Sequence, residues 1–287
     1  MSKYRYQLDK TSKKFHCPQC GNKRFVRYIE IETSNYAESN YGRCDRETSC
    51  GYLTYPNNES IIDYNYVAPP PPEPTYMDNE VKEKTLKKYD INPLAIYLIK
   101  NRYDEDTVIS TLLKYQVGTA NMFNGSTIFW QTDHTGNTRT GKVMAYDIEK
   151  GKRVKGKFSI TWAHKAIDLP NFNLKQCLFG LHLIESESKK IAIVESEKTA
   201  IIMSIEIPSK TWMATGSLQG FKYEFLAPIK NYEIIAFPDK GGYDKWSDRA
   251  FELNSLGFDI TVSDYLEQPD FEDGWDLVDV IEYEDKE

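Results

Sequence analysis

The stretch "KIAIVESEKTAIIMSIE", residues 190–206, passes from a short apolar run into a helical pattern within a few residues. The apolar run from Lys190 to Glu195 is typical of a strand that is covered on both faces. Ser196 or Glu197 then begins a helix that is apolar nearly all round, which indicates a buried helix. The segment therefore predicts one β-α unit of a parallel sheet.

The same alternation of strand and helix continues to residue 264. Further strands are predicted at Thr211–Thr215, at Tyr232–Asp239 and in "FDITVSD", residues 258–264. A helix is predicted from Tyr243 to Leu256, and Gly257 ends it because glycine readily takes the left-handed conformation that follows a helix. Such a β-α-β series predicts a mainly parallel sheet with helices on both sides.

Two acidic residues follow strands of this predicted sheet. Glu195 ends the first strand and Asp239 ends the third, and ligands of open parallel sheets gather at the carboxyl ends of the strands. Carboxylate oxygens that converge there suit a hard cation such as Mg2+ or Mn2+. Asp244, Asp276 and Asp279 are candidates for further carboxylate ligands. Taken singly, each acid has a structural alternative, since aspartates after strands often cap the next helix.

Four of the five cysteines lie near the amino terminus, in a C-x2-C pair and a C-x5-C pair. They are Cys17, Cys20, Cys44 and Cys50. Thiolates in such pairs bind zinc tetrahedrally, and Gly21 and Gly51 permit the tight turns that follow the pairs. The pattern favours a structural zinc ribbon over residues 1–56, with a redox pair or unliganded thiols as the alternatives. Cys177 is predicted to be a small buried apolar residue.

The stretch "VAPPPPEPTY", Val67–Tyr76, is a stiff, extended polyproline segment that separates the ribbon from the rest of the chain. Helices are predicted to begin at Asn92 and at Asp104 or Asp106. Strands are predicted between residues 127 and 162, where hydrophobic and polar residues alternate. The predicted domains are a zinc ribbon at 1–56, a Pro-rich linker at 57–77, a helical and basic subdomain at 78–180 and an α/β domain at 181–287.

Two segments of this chain are rich in cations, although its net charge is −7. In the ribbon, the cations alternate with aromatic residues, a mixture that suits single-stranded nucleic acid because cations neutralise phosphates while rings stack on bases. Residues 139–157 carry seven cations, which predicts a phosphate-facing groove. The alternative for both segments is an ordinary solvated surface. The candidate nucleic-acid-binding residues are Lys23, Arg24, Arg27, Arg43, Arg139, Lys142, Lys152, Arg153 and Lys155.

The strand and loop motifs resemble the Toprim domain of bacterial and phage primases. The resemblance rests on "IAIVESEKTAIIMS", "WMATGSLQGF" and "EIIAFPDKGGYDKW". It implies that Glu195 and Asp239 hold a catalytic divalent metal ion, with Asp276 and Asp279 of "DLVD" near that ion. Gly241 stands where the D-x-D motif of the family has its second aspartate, and Asp244 is the candidate to replace it.

The resemblance extends to the segments before this domain. "YLIKNRYDEDTVISTLLKYQVGTA" is similar to the helices that open primase cores, and "FWQTDHTGNTRTGKVMAYD" and "LKQCLFGLHLIE" are similar to the basic subdomain that precedes Toprim. The order of zinc ribbon, core and Toprim also matches that of primases. The implied fold is a Toprim-type α/β sheet flanked by helices, preceded by a basic α+β subdomain and a zinc ribbon.

The function that this resemblance implies is a DNA primase-like nucleotidyltransferase that makes short RNA primers from ribonucleotides on single-stranded DNA with Mg2+. A separate helicase is an expected partner, because the chain has no G-x4-G-K-[ST] nucleotide-binding loop of its own. The alternatives are a catalytically weak single-stranded DNA-binding factor for replication or for a mobile element, and a Toprim metal-dependent nuclease.

Composition gives the expected location. The amino terminus "MSKYRYQLDK" is polar and lacks the apolar core of a signal peptide. No run approaches the ~18 apolar residues that a membrane span needs. A cytoplasmic protein with no membrane partner is therefore expected, and its reducing surroundings favour metal binding over disulfides for the cysteines.

Overall fold

The computed structural model describes residues 5–46, 50–56, 73–156, 159–184 and 190–284. The chain divides into two compact units, Met1–Pro72 and Glu73–Glu287. Residues 57–72 of the predicted Pro-rich linker and the cation Lys157 lie outside the described residues.

The first unit is built on a four-stranded antiparallel sheet. Its strands, in sheet order, are β1 (Tyr6–Leu8), β2 (Phe25–Glu30), β3 (Gly42–Cys44) and β4 (Leu53–Thr54). Cys44 pairs with Phe25 across β2 and β3, and both side chains are buried beside Cys17. A side chain at Gly42 would collide with the Phe25 ring, since a Cβ atom there would lie 2.5 Å from ring atom Cζ. The small core of this unit is therefore made of one aromatic ring and the cysteines.

The second unit begins with helices and an antiparallel sheet. The helices of this part are α1 (Asn79–Glu83), α2 (Pro93–Asn101), α3 (Glu105–Lys114) and α4 (Ala163–Ala166). The strands, in sheet order, are β5 (Val117–Ala120), β6 (Ser126–Thr132), β7 (Thr138–Met144) and β8 (Ile160–Trp162). The predicted strands between residues 127 and 162 are thus confirmed.

Helix α2 begins at the predicted residue because of a buried cap. The side-chain oxygen of Asn92 accepts hydrogen bonds from the backbone N–H groups of Leu94 and Ala95, at 3.1 and 3.2 Å. The amide nitrogen of the same side chain donates to the carbonyl of Gly118 at 3.1 Å, which ties the helix to β5. Of the two candidates for the start of α3, the cap is Asp104, whose carboxylate accepts from the Thr107 N–H at 2.9 Å.

The remainder of the second unit is the predicted α/β part. Its four-stranded sheet is parallel throughout and has the order β10 (Thr211–Ala214), β9 (Ile191–Val194), β11 (Glu233–Phe237) and β12 (Asp259–Val262). The helices are α5 (Glu197–Glu206), α6 (Tyr223–Leu226), α7 (Tyr243–Ser255) and α8 (Leu277–Glu284). Short 3-10 turns lie at Tyr89–Ile91, Met122–Asn124, Leu181–Leu183, Leu218–Gly220, Ala227–Ile229 and Tyr265–Glu267.

Strand β9 lies at the centre of the core, as its uninterrupted apolar run predicts. Ile191 and Ile193 point to the side that holds α7, and Ala192 and Val194 point to the side that holds α5 and α8. The parallel sheet with helices on both faces is therefore confirmed. Across the described residues, none of the helices combines the length and the apolar character that a bilayer crossing requires.

Candidate active site and zinc centre

The four amino-terminal cysteines form one cluster. Their sulfur atoms all lie within 4.8 Å of one another. The Sγ atoms of Cys17 and Cys50 are 3.7 Å apart, and those of Cys20 and Cys44 are 4.0 Å apart. A disulfide would need about 2.0 Å, whereas a tetrahedral zinc ion with Zn–S bonds of about 2.3 Å holds its sulfurs just under 4 Å apart. The cluster therefore fits a structural Zn2+ ion, as the spacing predicts.

The turns around the cluster have the conformation that the glycines predict. Gly21 and Gly51 take the left-handed conformation, with φ of +68° and +66°. The backbone N–H and the side-chain amide of Asn22 lower the pKa of the Cys20 thiol to about 6. Part of the thiolate charge that zinc binding requires is therefore stabilised by the turn itself.

The second centre lies where β9 and β11 end. The two strands are neighbours, with Val194 opposite Phe237, so Glu195 and Asp239 follow them at the same edge of the sheet. The backbone N–H of Asp239 donates to Oε1 of Glu195 at 3.3 Å. The chain leaves β9 towards β10 and leaves β11 towards β12, on the opposite side. The two acids therefore occupy the crevice where the connections diverge, which is the usual ligand position in open parallel sheets.

The crevice disfavours the ionised form of its own carboxyl groups. Burial, together with the charges of Glu195, Asp276 and Asp279, raises the pKa of Asp239 to about 8. Burial also raises the pKa of Glu195 and, with the charge of Asp276, that of Asp279. Carboxylates that raise one another's pKa in this way are stabilised as a set when a cation lies among them.

The acids are more widely spaced than the cysteines. Among the parts of the chain that the structure describes, the four cysteines alone bring three or more metal-ligand atoms within 4.8 Å of one another. Mg2+ accepts such a site, because it usually keeps several waters and binds one or two carboxylates together with substrate phosphates. The donor set at Glu195 and Asp239 thus fits Mg2+ better than a metal that demands a closed protein cage.

Asp276 and Asp279 have a structural role as well. Oδ1 of Asp276 accepts from the N–H groups of Val278 and Asp279 at 2.8 and 3.1 Å, and Oδ2 of Asp279 accepts from the Asp276 N–H at 3.1 Å. This is a reciprocal cap at the start of α8. The hydroxyl of Thr199 on α5 donates to the other oxygen of Asp276. Both acids are thereby fixed near the crevice.

The loop after Asp239 is held by a hydrogen bond to Glu267. Gly241 has φ of +86°, and its N–H donates to the Glu267 carboxylate at 3.0 Å. Asp244 is exposed on the first turn of α7 and does not line the cavity that holds the other acids. The replacement of the second aspartate of the motif by Asp244 stays a prediction. Besides Glu195 and Asp239, the cavity contains the acids Glu197 and Asp279.

A cavity of about 350 Å³ joins the acids to part of the cationic segment. Lys152, Arg153 and Lys155 are exposed and line it together with Glu195 and Asp239. Nζ of Lys152 lies 3.9 Å from Oδ1 of Asp279. Exposed lysine and arginine side chains in such a cavity can neutralise phosphates. Lys142 lines the same cavity, so four of the five cations proposed for this segment lie beside the acids.

Arg139 and Lys142 of that segment each form an ion pair with a buried carboxylate. Arg139 packs its guanidinium over the Tyr76 ring, 4.6 Å from the centroid, and its Nε lies 2.7 Å from Oδ2 of Asp133. Lys142 is buried, with its ammonium 3.0 Å from the Glu197 carboxylate. Each of the two residues neutralises a buried carboxylate of the same unit. Their contact with a nucleic acid stays a prediction.

The cations of the ribbon also divide into two kinds. Lys23, Arg24 and Arg43 are exposed. Arg27 is half-buried, with its guanidinium carbon 5.1 Å from the Phe15 ring centroid, and it donates to a backbone carbonyl of the ribbon. Arg27 therefore contributes to the packing of the ribbon, and the three exposed cations remain the candidates for contact with nucleic acid.

Sequence reasoning missed Glu197 and Lys198, which both line the cavity. Glu197 is almost fully buried, and Lys198 donates to the carbonyl of Gly151 at 3.3 Å. A signal was present, since both residues lie in the first turn of the helix that follows Glu195. A helix that starts beside a ligand crevice presents its first-turn side chains to that crevice.

The fold and the two centres define the class: a protein with a zinc ribbon and an α/β unit that carries an acidic site at its strand ends. Residues 92–240, more than half of the chain, match the sequence profile described as "Domain of unknown function (DUF6371)", and the chain belongs to that family. Residues 4–64 match the profile of a zinc beta-ribbon finger, in agreement with the cysteine cluster. No curated protein matches the chain in sequence.

Several solved primase structures are similar to the chain at low identity. The primase fragment of the bacteriophage T7 primase-helicase protein is 15% identical, with 87% of this chain and 88% of that chain covered and a TM-score of 0.43. The RNA polymerase domain of Mycobacterium tuberculosis primase DnaG is 13% identical, with coverages of 70% and 76% and a TM-score of 0.46. The zinc-binding and RNA polymerase domains of Aquifex aeolicus primase are 12% identical, with coverages of 96% and 77% and a TM-score of 0.41.

Proposed function

We propose that this protein is a primase-like nucleotidyltransferase that makes short RNA primers on single-stranded DNA with Mg2+. The observation that carries the proposal is the meeting of Glu195 and Asp239 in the crevice between β9 and β11, inside a cavity that also holds Lys152, Arg153 and Lys155. Acids that bind a hard cation and cations that bind phosphates are the two requirements of metal-assisted phosphoryl transfer.

The proposed roles follow from the position of each side chain. Glu195 and Asp239 would hold the metal ion, and Asp279 would add negative charge beside it. Mg2+ bound there would stabilise the charge on the transferring phosphoryl group and favour the deprotonated 3′-hydroxyl as nucleophile. Lys152, Arg153 and Lys155 would neutralise the phosphates of the incoming ribonucleotide or of the template.

A Toprim-type domain is part of this proposal. It is supported by the parallel sheet, by the acids after β9 and β11 and by the reciprocal cap of Asp276 and Asp279 near the same crevice. The zinc ribbon would contact single-stranded template through Lys23, Arg24 and Arg43, which are exposed. Cations on such a surface give salt-dependent binding without a requirement for sequence.

The proposal is tested by primer synthesis on single-stranded DNA with ribonucleotides and Mg2+. Glu195→Gln should reduce the rate by more than about 100-fold, because it removes one charge from the metal site without changing its size. The matched control is Glu233→Gln at the opposite end of the same sheet, where Glu233 forms an exposed ion pair with Lys190. This control should keep the wild-type rate. Equal rates for wild type and Glu195→Gln would overturn the assignment.

A second candidate function is single-stranded DNA binding without turnover. It is favoured by Gly241, which leaves the second position of the acidic motif without a carboxylate. The same assay with labelled single strands separates the candidates. Extension supports the primase, retention of intact strands without extension supports the binding factor, and degradation of the strands indicates a nuclease.

A further inference from the structure

Lys142 lines the cavity, and its ammonium group donates three hydrogen bonds. It lies on β7, its side chain is 10% exposed, and that of its partner Glu197 is 3% exposed. Its Nζ atom donates to Oε1 and Oε2 of Glu197 at 3.0 and 3.1 Å and to the carbonyl of Gly216 at 3.0 Å. Lysine is almost never fully buried unless it is paired, so this site satisfies its charge by specific contacts.

Both partners of Lys142 belong to the segments that position Glu195. Glu197 follows Glu195 by two residues at the start of α5. The backbone N–H of Gly216 donates to the Glu195 carbonyl at 2.8 Å. Lys142 therefore connects the antiparallel sheet to the ends of β9 and β10, on either side of the metal-binding carboxylate.

The approach of these groups depends on a glycine. Gly216 has φ of +76°, and a Cβ atom at this position would lie 3.1 Å from Oε1 of Glu197 and 3.6 Å from Nζ of Lys142. Any side chain would thus press on the ion pair in a backbone conformation that other residues rarely adopt. The backbone at this position leaves room for the contact between Lys142, Glu197 and the Gly216 carbonyl.

We propose that Lys142 is a positioning residue for the metal site, which rests on the proposed function of that site. Through Glu197 and Gly216, it holds the backbone of Glu195 in place relative to the antiparallel sheet. That sheet continues from β7 into the loop that carries Lys152, Arg153 and Lys155. Lys142 therefore sets the separation between the metal-binding acids and the phosphate-binding cations.

The test separates positioning from stability with a double variant of the full chain. Single substitutions leave one charge buried and unpaired, which destabilises a protein for reasons unrelated to the metal. Lys142→Met with Glu197→Gln removes both charges and should melt near the wild-type temperature. We expect its affinity for Mn2+, measured by electron paramagnetic resonance, to fall by about tenfold or more, as when groups that orient metal ligands are lost.

The matched control removes the other buried pair of the same sheet. Arg139→Met with Asp133→Asn changes an ion pair between β7 and the turn that follows β6, and neither residue lines the cavity. This control should leave the Mn2+ affinity unchanged. If the Lys142 and Glu197 double variant binds Mn2+ as tightly as the wild type, Lys142 has no positioning role and the proposal is overturned.

Hydrogen exchange gives an independent readout in the protein without added Mg2+ or Mn2+. The Gly216 N–H, which donates to the Glu195 carbonyl, should exchange faster in the double variant than in the wild type and the control. Unchanged exchange would contradict the proposal. If the wild type makes no primers but the double substitution still weakens Mn2+ binding, the proposed function alone is overturned. Absence of Mn2+ binding by the wild type would overturn the metal site and this role with it.

Discussion

Among the acids of the proposed metal site, Asp239 is the one whose pKa is raised to near 8 by burial and by neighbouring charges. Its carboxyl group lies among Glu195, Asp276 and Asp279, and burial with these charges raises its pKa from 3.8 to about 8. Between these two pH values the folded protein keeps a proton that the unfolded chain releases. The stability of the metal-free site therefore falls as the pH rises from about 4 to about 8.

This linkage predicts that Asp239→Asn stabilises the protein when no Mg2+ is added. At pH 8, the free energy of unfolding should rise by at least about 1.4 kcal/mol, the equivalent of one pKa unit. At about pH 3, the variant and the wild type should differ little, because the carboxyl group is then mostly protonated in both the folded and unfolded states. Urea unfolding at the two pH values measures the difference. If the variant and the wild type differed in free energy of unfolding by the same amount at both pH values, the pKa of Asp239 would not be raised in the folded protein.

At the scale of single elements, the buried cap of α2 is the clearest case for a measurable effect. Asn92 is fully buried, and its side chain bonds to the first turn of α2, to β5 and, through the Thr127 hydroxyl at 2.9 Å, to β6. Asn92→Ala should lower the free energy of unfolding by about 2–3 kcal/mol, because it leaves several buried polar groups without partners.

The matched control for this prediction is Asp104→Ala at the start of α3. Asp104 is exposed and caps its helix through the Thr107 N–H, so its loss should cost about 1 kcal/mol. Urea unfolding of the two variants tests the contrast. If both substitutions lowered the free energy of unfolding equally, the buried hydrogen bonds of Asn92 would stabilise the protein no more than an exposed helix cap does.

Local signals explain why so many elements could be predicted. The caps at Asn92 and Ser196 and the apolar run of β9 depend on residues close together in the chain, so the strands and helices begin within one or two residues of their predicted positions. The predicted third strand is longer than β11, which ends at Phe237, before Pro238. Proline has no N–H for the ladder, and this accounts for the earlier end.

The features that the sequence did not reveal concern partners that lie far apart in the chain. Strand β7 contains two cations, Arg139 and Lys142, which is typical of a strand with a solvated face. The structure instead covers both faces of β7, and the partner of Lys142 is Glu197, 55 positions further along the chain. Spacing in the chain does not contain this information. The meeting of Glu195 and Asp239 could be predicted because both acids follow neighbouring strands of one parallel sheet.

At the scale of the whole molecule, the zinc cluster and the acidic site belong to different compact units. The cysteines lie in Met1–Pro72 and the acids in Glu73–Glu287. Since the small core of the first unit is built from Phe25 and the cysteines, its fold should depend on zinc. Cys44→Ser should therefore unfold this unit while the second unit keeps its structure.

Hydrogen exchange resolved by segment tests this expectation. Peptides from β2 should lose their protection in Cys44→Ser, whereas peptides from β9 and β11 should keep it. Elemental analysis of the wild type should find about one zinc ion per chain. Protection of β2 that survives both the substitution and zinc removal would show that the cysteines do not stabilise the ribbon.

We propose that Glu195 and Asp239 share one divalent cation at the edge of the parallel sheet. Anomalous diffraction from crystals soaked in Mn2+ locates such an ion. We expect a peak between the two carboxylates, in the cavity that Lys152, Arg153 and Lys155 also line. Manganese found only at exposed acids such as Asp244, with no peak between Glu195 and Asp239, would contradict it.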